Sequence, residues 1–330
     1  MKTLINHSTD PHYNLAMEEY LLKNVDLNDD LIFLWQNEPS IIIGRNQNTI
    51  EEINLEYVEK YNIHVVRRTS GGGAVYHDLG NINYTFMTKS LKDNLNNYRK
   101  FTEPVIKALR HFGVPAEFSG RNDIVVEGKK ISGNAQSYYK NKMFHHGTIL
   151  FDSDLDRVNK VLTVKKEKIE SKGIKSIRSR VTNIRPYLKQ DMDVKTFMDE
   201  LLKFILDTDD ITPHIITLSE EDLRQIQKLR DEKYMTWEWN FGESPAFTIQ
   251  KTGKYAGGMI DVRFNVENGR IVDCKFYGDF FGREPIDGLI KDLIGLPFTK
   301  EAIQAKLDEV PLEDYMYNIT REDLINCIFG

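Results

Sequence analysis

The chain has 330 residues, of which 40% are hydrophobic and 28% charged, and this composition favours a folded globular protein over a disordered one. A net charge of -6 argues against a dedicated nucleic-acid-binding protein, and two cysteines are too few for a disulfide framework or a thiolate metal site. Residues 1–14 contain no apolar segment typical of a signal peptide, and the apolar runs are too short to span a membrane, so we expect a cytoplasmic protein.

The first part of the chain predicts one helix and three short strands. Asp10 and Pro11 form a typical helix start, and apolar residues at near-helical spacing extend the predicted helix to Lys23. Runs of β-branched and aromatic residues predict strands at 31–35, 40–43 and 63–66. The second strand enters a polar loop that carries Arg45, a position where an arginine is most often solvated.

A loop with three consecutive glycines, Gly71 to Gly73, follows the third predicted strand. Glycine permits positive φ and close approach of a ligand to the backbone, and successive N–H groups can then bind an anion. Arg67 and Arg68 precede the glycines, and a guanidinium offers a planar fork suited to phosphate or carboxylate. The segment therefore predicts a clamp for an anionic substrate, although no P-loop pattern occurs and a bare triple glycine is more often an ordinary turn.

Strands and helices alternate from residue 82 to residue 228. Strands are predicted at 82–87, 124–126, 130–135 and 144–150, and helices at 98–112, 154–162, 193–207 and 219–228. Lys130 stands at the start of a return strand, where position alone indicates a solvated lysine. Residues 165–180 form the most basic segment of the chain. Such a run is usually a solvated face, and the functional alternative is a lid that closes over phosphates.

The pattern changes near residue 246, where we place a domain boundary. Beyond it, residues 260–266 and 272–276 alternate apolar and polar side chains around an Asn-Gly turn and predict an antiparallel hairpin. Helices predicted at 285–294, 299–307 and 320–328 would cover one face. We therefore expect a large domain at 1–246 and a small α+β domain at 247–330 that lacks a catalytic constellation.

Five segments in the same order resemble those of the lipoate-protein ligase A family. They are Arg67 to Asn81, Gly120 to Asp123, Lys130 to Gly133, Phe144 to Thr148 and Ser176 to Asn183. The resemblance covers most of the chain. It implies an α/β (α+β) catalytic domain of the biotin and lipoyl ligase fold, with mixed β-sheets flanked by helices, and an accessory C-terminal domain.

The resemblance also implies two chemical steps. Lipoate reacts with ATP, in the presence of Mg²⁺, to give lipoyl-adenylate and pyrophosphate, and a lysine of an acceptor protein then takes the lipoyl group. Acceptors implied in this way are the lipoyl domains of 2-oxoacid dehydrogenase E2 subunits and the glycine cleavage H protein. We expect a monomer that binds neither nucleic acid nor membrane.

Site residues are carried over from the resemblance position by position. Nucleotide contacts fall on Arg68, Gly71, Gly72, Gly73, Ala74, Val75, Tyr76, Asn122, Lys130, Ser176 and Arg178. Acyl-substrate contacts fall on Arg45, Arg68, His77, Lys130, Gly133 and His146, and Asp123 is the expected Mg²⁺ ligand. Lys130 is the expected catalytic residue, because its ammonium can stabilise charge on both the acyl carboxylate and the phosphate. Asn134 to Gln136 receive no role.

Three other functions remain open at this stage. The first is an acyltransferase of the same superfamily, which moves octanoyl or lipoyl groups between carrier proteins without ATP and can use a cysteine nucleophile, although Cys274 and Cys327 both lie outside the catalytic half. The second is a biotin ligase, whose arginine- and glycine-rich biotin loop is absent. The third is a non-catalytic acyl-adenylate-binding or acyl-carrier-binding protein, which the presence of Lys130 argues against.

Overall fold

The computed structural model describes residues 1–26, 28–47, 49–89, 94–162, 180–241, 249–267 and 269–329. Contacts within the chain define two compact units. Unit 1 comprises Met1–Ile42, Ile50–Arg67 and Val75–Asn240, and unit 2 comprises Ile43–Thr49, Arg68–Ala74 and Phe241–Gly330. Two loops of the N-terminal half, one with Arg45 and one with the three glycines, therefore group with the C-terminal part of the chain.

Unit 1 contains ten strands and eight helices among its described residues. The strands are β1 (Lys2–Thr3), β2 (Leu31–Trp35), β3 (Ser40–Ile43), β4 (His64–Arg67), β5 (Val75–His77), β6 (Asn81–Thr88), β7 (Glu117–Ser119), β8 (Asp123–Val126), β9 (Lys129–Tyr139) and β10 (Lys142–Leu150). The helices are α1 (Pro11–Asn24), α2 (Thr49–Glu52), α3 (Leu55–Lys60), α4 (Tyr98–His111), α5 (Leu155–Val161), α6 (Val194–Leu206), α7 (Glu220–Leu229) and α8 (Trp237–Asn240). A π-helical turn, Arg230–Tyr234, continues α7.

A seven-stranded sheet with the order β1-β2-β6-β10-β9-β8-β7 forms the centre of unit 1. It is antiparallel except for the β1–β2 pair, and the short β4-β3-β5 sheet accompanies it. Successive side chains of a strand point to opposite faces. On β6, Ile82, Tyr84 and Phe86 pack in a core with α4 and α6, whereas Met87 packs in a second core with α1. We call these the α4 face and the α1 face of the sheet.

Helix α1 begins as its sequence predicts. The Asp10 carboxylate accepts a hydrogen bond from the His12 N–H, and Pro11 occupies the first turn, where its missing N–H costs nothing. The Asp10 carboxylate also pairs with Arg230, and these hydrogen bonds hold the pKa of Asp10 far below its usual range against the opposing effect of burial. The ion pair ties the start of α1 to the π-helical turn.

Unit 2 is built on the antiparallel sheet β11 (Ile249–Tyr255), β12 (Gly258–Glu267) and β13 (Arg270–Gly278). Its helices are α9 (Asp287–Leu293), α10 (Lys300–Glu309), α11 (Leu312–Tyr315) and α12 (Arg321–Phe329). Alternate strand residues Ile260, Val262, Phe264, Cys274 and Phe276 are buried in one core with these helices. The hairpin and the three longer helices confirm the predicted α+β composition of this region.

The predicted α/β (α+β) fold with helices flanking mixed sheets is confirmed. Most predicted elements appear within two residues of their expected ends, and α7 begins with a capping box formed by Ser219 and Asp222. The predictions missed β1, β5, β7, β11 and the short helices α2, α3, α8 and α11. All of these elements have seven or fewer residues, so they carry little periodic signal. Among the described residues, no helix has both the length and the apolarity that a membrane crossing requires.

Candidate active site

Lys130 and Asp123 form an ion pair at one edge of the main sheet in unit 1. The Lys130 Nζ lies 2.8 Å from the Asp123 Oδ1, and the two side chains are 38% and 35% exposed. A pair this exposed contributes little to stability, about 0 to 1 kcal/mol. The ion pair instead positions the two groups, because it holds an accessible ammonium and an accessible carboxylate side by side.

Gly133 provides the room for this ammonium. It pairs with Asp123 across β8 and β9, and a Cβ built on Gly133 would lie 2.8 Å from the Lys130 Nζ. The lysine side chain therefore folds back over the glycine toward the carboxylate. The structure thus brings together three predicted site residues, Lys130, Asp123 and Gly133, in one cluster that we call the lysine cluster.

The backbone of Lys130 is fixed by the segment 180–182. The Lys130 N–H donates to the Arg180 carbonyl at 2.7 Å, and the Thr182 N–H donates to the Lys130 carbonyl at 3.0 Å. The sequence resemblance placed a nucleotide-binding segment at Ser176–Asn183. Its predicted contact residues Ser176 and Arg178 lie outside the residues that the structure describes.

Asn122, predicted to contact the nucleotide, exchanges hydrogen bonds with Asn134. The Asn122 Nδ2 donates to the Asn134 carbonyl at 2.5 Å, and both the N–H and the Nδ2 of Asn134 donate to the Asn122 carbonyl at 3.0 Å. These bonds hold the turn that precedes Asp123. Asn134, to which the family resemblance assigned no role, is therefore a structural support of the lysine cluster.

Asn134 belongs to a buried hydrogen-bond network on the α4 face. Its Oδ1 accepts from the Tyr84 hydroxyl and lies 3.0 Å from the His145 Nε2, while the other ring nitrogen of His145 lies 3.2 Å from the Gln136 Nε2. Because the Asn134 Oδ1 and the Gln136 Nε2 are an acceptor and a donor, the network requires neutral His145 with its proton on Nε2. Burial agrees, since it lowers the pKa of His145 well below the usual value.

His146, predicted near the acyl substrate, lies on the opposite, α1 face. Its Nδ1 is 3.0 Å from the Oε2 of Glu18 on α1, and the Glu18 Oε1 accepts from the Thr85 hydroxyl at 2.5 Å. The Thr85 hydroxyl also accepts from the Trp35 indole N–H at 2.9 Å. Glu18 is almost completely buried, so these partners replace the water that a carboxyl group would otherwise bind.

His77, the other histidine predicted at the acyl site, stands near this group. Its Nδ1 lies 3.1 Å from the Asn37 Nδ2, and its ring meets the Trp35 indole edge-on at 6.4 Å between centroids. Trp35 thus lies between His77 and the Thr85–Glu18–His146 contacts. The structure places both histidines around one buried part of the α1 face. Val75 and Tyr76, predicted nucleotide contacts, precede His77 on β5, and burial raises the pKa of Tyr76.

Arg68 in unit 2 binds its own loop. Its Nε donates to the Ser70 hydroxyl at 3.1 Å, and its Nη2 donates to the carbonyls of Gly71 at 2.7 Å and Gly73 at 2.9 Å. The side chain is buried. The guanidinium therefore braces the glycine loop, which is a structural task that the sequence prediction of a nucleotide contact did not include.

The glycines of this loop meet different surroundings. A Cβ on Gly71 would lie 2.6 Å from the Phe280 carbonyl oxygen, and Gly72 adopts a φ of +95° that side chains rarely tolerate. A Cβ on Gly73 would meet nothing within 4 Å. Gly71 and Gly72 are thus required by the local structure, whereas Gly73, followed by Ala74, presents an open stretch of backbone.

Arg45 and Arg67, the other two described arginines that the sequence suggested for the site, have different contacts. Arg45, predicted near the acyl substrate, belongs to unit 2, and its N–H donates to the Ser70 carbonyl at 2.9 Å. Burial lowers the pKa of Arg45, and the acidic residues Asp287 and Glu284 oppose that shift. Arg67, which the sequence suggested as half of an anion clamp, instead donates its Nε to the Trp239 carbonyl at 3.0 Å and its N–H to the Asn240 Oδ1 at 2.9 Å within unit 1.

The side chains around Asp123 fit Mg²⁺ only if phosphate oxygens and water supply the other ligands. Among the described residues, no cluster of three or more His, Cys, Asp or Glu side chains is placed to hold a metal ion. Mg²⁺ commonly uses one or two carboxylates and completes its coordination with phosphate oxygens and water. The accessible Asp123 carboxylate meets that requirement, with Lys130 as its neighbour.

Two family descriptions match the sequence. Residues 10–206 match "Lipoyl protein ligase A/B catalytic domain", and residues 244–328 match "Bacterial lipoate protein ligase C-terminus". A curated relative, lipoate-protein ligase LplJ of Bacillus subtilis, is 50% identical over 322 residues, which are 97% of each chain.

Solved structures agree with these matches. LipL1 of P. falciparum, determined in complex with lipoate, is similar with a TM-score of 0.79 and 28% identity, covering 98% of this chain and 97% of its own. A bipartite lipoate protein ligase of Thermoplasma acidophilum, studied with its E2 lipoyl domain, gives a TM-score of 0.64 and 30% identity over 75% of this chain and 98% of its own. A lipoate-protein ligase A bound with ATP gives 0.61 and 28% over 73% of this chain and 98% of its own. Because the catalytic-domain match covers more than half of the sequence and the bacterial relative is similar over nearly its whole length, the chain belongs to the lipoate-protein ligase family, and it is an enzyme of that family.

Proposed function

We propose that this ligase activates lipoate with ATP, forming lipoyl-adenylate and releasing pyrophosphate, and then transfers the lipoyl group to a lysine of an acceptor protein. The observation that carries the proposal is the lysine cluster, in which the Lys130 ammonium lies over Gly133 and 2.8 Å from the Asp123 carboxylate. It offers one accessible cation beside one accessible metal-binding carboxylate. Both are needed where a carboxylate and a triphosphate meet.

In the first step, an oxygen of the lipoate carboxylate forms a bond to the α-phosphorus of ATP, and the bond to the pyrophosphate oxygen breaks. Both reactants are anions, so they repel each other until a cation lies between them. Lys130 is the residue that supplies this charge. Removing one such preorganised donor typically costs about 3 to 4 kcal/mol of transition-state stabilisation.

Mg²⁺ would be held by Asp123 together with phosphate oxygens, and it would neutralise charge on the nucleotide and on the departing pyrophosphate. The carboxylate of Asp123 has a second task within the chain. At 2.8 Å it holds the Lys130 ammonium over Gly133, which orients the lysine before substrate arrives.

In the second step, the unprotonated amine of the acceptor lysine attacks the carbonyl carbon of the adenylate, AMP leaves with the electrons of the broken C–O bond, and the nitrogen releases one proton to solvent as the amide forms. Lys130 stabilises the negative charge that develops on the carbonyl oxygen. One lysine thus serves both steps, because the same carbonyl group is present in each.

The remaining site assignments are part of the proposal. The open backbone at Gly73 and Ala74 contacts the nucleotide, together with Arg68, Gly71, Gly72, Val75, Tyr76, Asn122, Ser176 and Arg178. His77, His146 and Arg45 contact the acyl substrate. Residues 1–246 form the catalytic domain and 247–330 the accessory domain, and the enzyme works as a cytoplasmic monomer.

We propose the lipoyl domains of E2 subunits, the glycine cleavage H protein, or both, as acceptors. Support for the first comes from the structural relative that was studied with an E2 lipoyl domain. The side chains of Lys130 and Asp123 are each more than one-third exposed, which would let the amine of an acceptor domain reach them.

The cysteine-dependent transferase receives no support from the described residues. Cys274 and Cys327 are both buried, and burial raises the pKa of Cys274 to about 12 and also raises that of Cys327. A thiol nucleophile needs the opposite shift, because the thiolate is the reactive form. Neither cysteine is suited to form an acyl-enzyme.

Lipoate-dependent exchange between ATP and pyrophosphate tests the proposal. Wild-type protein with Mg²⁺ should catalyse exchange with lipoate and not with biotin, and Lys130→Ala should lower the rate by roughly 100- to 1000-fold. Lys129→Ala is the matched control, because Lys129 is an exposed neighbour with the same charge and should leave the rate unchanged. Acyl transfer between carrier proteins without ATP, in the absence of any exchange, would overturn the proposal.

A further inference from the structure

The α1 face of β6 is polar although the strand is buried. All eight residues from Asn81 to Thr88 are buried, and Asn81, Asn83 and Thr85 occupy the face that also carries Trp35 and His146. Thr85 has partners in Glu18 and Trp35. Asn81 and Asn83 each have a side-chain polar atom that has no hydrogen-bond partner among the described residues.

Asn83 has an amide nitrogen without a hydrogen-bond acceptor among the described residues. Asn83 as a whole is 2% exposed. Its Oδ1 accepts from the Asn81 Nδ2 at 3.1 Å, which fixes the orientation of the side chain. A buried donor left without an acceptor costs about 1 to 3 kcal/mol, so this N–H calls for an acceptor from outside the protein, such as water or a ligand.

A straight row of residues connects Asn83 with the lysine cluster. Across neighbouring strands, Trp35 pairs with Asn83 and Asn83 with Thr148, and the Gly133 N–H donates to the Thr148 hydroxyl at 3.2 Å. The Lys130 ammonium lies over Gly133 at the end of this row. Two strand spacings of about 4.8 Å place Asn83 roughly 10 Å from Gly133.

The acyl substrate of the proposed function has a matching length. The dithiolane ring of lipoate begins five carbon–carbon bonds of about 1.5 Å each from the carboxylate. A carboxylate held by Lys130 therefore allows an extended chain to pass over Thr148 and bring the ring sulfurs to Asn83. Trp35, which pairs with Asn83 on the neighbouring strand, follows Asn83 in the row.

We infer that the Asn83 amide nitrogen donates to the dithiolane sulfurs and that Asn83 thereby determines the preference for lipoate over octanoate. The inference rests on the proposed function, since it assumes that Lys130 binds the carboxylate. Divalent sulfur is a weak acceptor, but it is an acceptor. Octanoate presents only methylene and methyl groups at the same depth, so it leaves the buried amide N–H without an acceptor, whereas lipoate supplies one.

The ratio of kcat/KM for lipoate to kcat/KM for octanoate in pyrophosphate exchange measures this preference. Asn83→Leu removes the donor while keeping the number of side-chain heavy atoms, and we expect the ratio to fall about tenfold, mainly because lipoate loses its hydrogen bond. Asn83→Ala also removes the donor and should lower the ratio, and it serves as the deciding variant if the leucine substitution prevents folding.

Tyr84→Phe is the matched control. It removes one buried hydrogen bond from the adjacent position of the same strand, but on the α4 face, where the hydroxyl donates to Asn134. It should lower the midpoint of thermal unfolding and leave the lipoate-to-octanoate ratio unchanged. A general loosening of β6 would instead move the ratio in both variants.

The outcomes separate this inference from the proposed function. Wild-type protein without lipoate-dependent exchange would remove the proposed function and the inference with it. Wild-type protein with exchange, combined with a folded Asn83→Leu or Asn83→Ala variant whose ratio lies within twofold of wild type, would overturn the role of Asn83 and leave the ligase activity intact. Equal loss of both substrates in the folded variant has the same meaning, because the ratio is then constant.

Discussion

Lys130 in unit 1 and Arg68 in unit 2 are both cations beside glycines, and they are held in opposite ways. Among the described residues Lys130 has one charged partner, Asp123, and more than a third of its side chain is exposed. Arg68 is buried and donates to the Ser70 hydroxyl and to the carbonyls of Gly71 and Gly73. A cation that must exchange partners during a reaction is kept accessible, whereas a cation that shapes a loop is surrounded by acceptors.

The largest expected effect comes from removing each charge in turn. Lys130→Met should abolish most exchange activity yet lower the free energy of unfolding by no more than about 1 kcal/mol, because an exposed ion pair contributes little. Arg68→Met should lower that free energy by about 3 kcal/mol, because three loop acceptors lose their donor. Urea unfolding monitored by Trp fluorescence measures both values.

Arg224→Met provides the control for these measurements. Arg224 lies on the surface of α7, where its guanidinium pairs only with Glu221 among the contacts described, and its side chain is 69% exposed. Its replacement should leave both stability and activity near wild type. If Lys130→Met destabilised the protein as strongly as Arg68→Met, the contrast between an accessible and a bracing cation would be wrong.

The sequence predicted the members of the lysine cluster better than it predicted the contacts of Arg67 and Arg68. Lys130, Gly133 and Asp123 lie on adjacent strands of one hairpin, so a turn at residues 127–129 was enough to bring them together. The fold class and the C-terminal hairpin were equally readable from local patterns. Arg67 and Arg68 are consecutive in sequence, yet one binds the segment Trp239–Asn240 and the other its own loop. No local pattern encodes such a long-range choice of partner.

The acyl side of the site was the least visible in the sequence. Glu18 and Trp35 reach His146 and Thr85 from separate elements, and only the assembled sheet brings these four residues together. One signal was nevertheless present. Strand β6 alternates apolar residues with Asn81, Asn83 and Thr85, which is typical of a strand with one solvated face, but the strand lies inside the sheet. A central strand with a polar face indicates a polar interior site.

A smaller effect is expected from single methyl groups placed on two glycines of the site. Gly133→Ala would place a Cβ 2.8 Å from the Lys130 Nζ, so the ammonium must shift, and we expect about a tenfold loss of exchange rate with little loss of stability. Gly73→Ala meets nothing within 4 Å, so it should not disturb the fold. A higher KM for ATP in this second variant would indicate that the nucleotide approaches the open backbone there.

The two glycine variants should change different kinetic constants. Gly133→Ala should lower kcat, because the displaced ammonium acts in the chemical step, whereas Gly73→Ala should act on the KM for ATP alone. Thermal unfolding should show nearly unchanged midpoints for both. A Gly133→Ala enzyme with wild-type kcat would mean that the position of the Lys130 ammonium over Gly133 is not the one used in catalysis.

The smallest expected effect concerns His145, the buried support beneath the accessible cluster. Its folded-state pKa lies well below the ordinary value near 6.5, so below that pH the unfolded chain binds a proton that the folded protein does not. The stability associated with neutral His145 is therefore complete above pH 6.5 and is lost as the pH falls. The slope contributed by this one group approaches about 1.4 kcal/mol per pH unit.

His145→Gln should remove that contribution, so the free energy of unfolding should fall less steeply between pH 6.5 and pH 5 than in wild type, even if the variant is less stable throughout. Tyr84→Phe is the control, because it breaks the same network at the Asn134 Oδ1 but keeps the imidazole, and its slope should match that of wild type. Equal slopes in wild type and His145→Gln would show that His145 can be protonated in the folded state. The hydrogen-bond network that supports Asn122 and Asp123 would then contain a charged imidazolium. Its Nδ1–H and the Gln136 amide would be two donors that face each other.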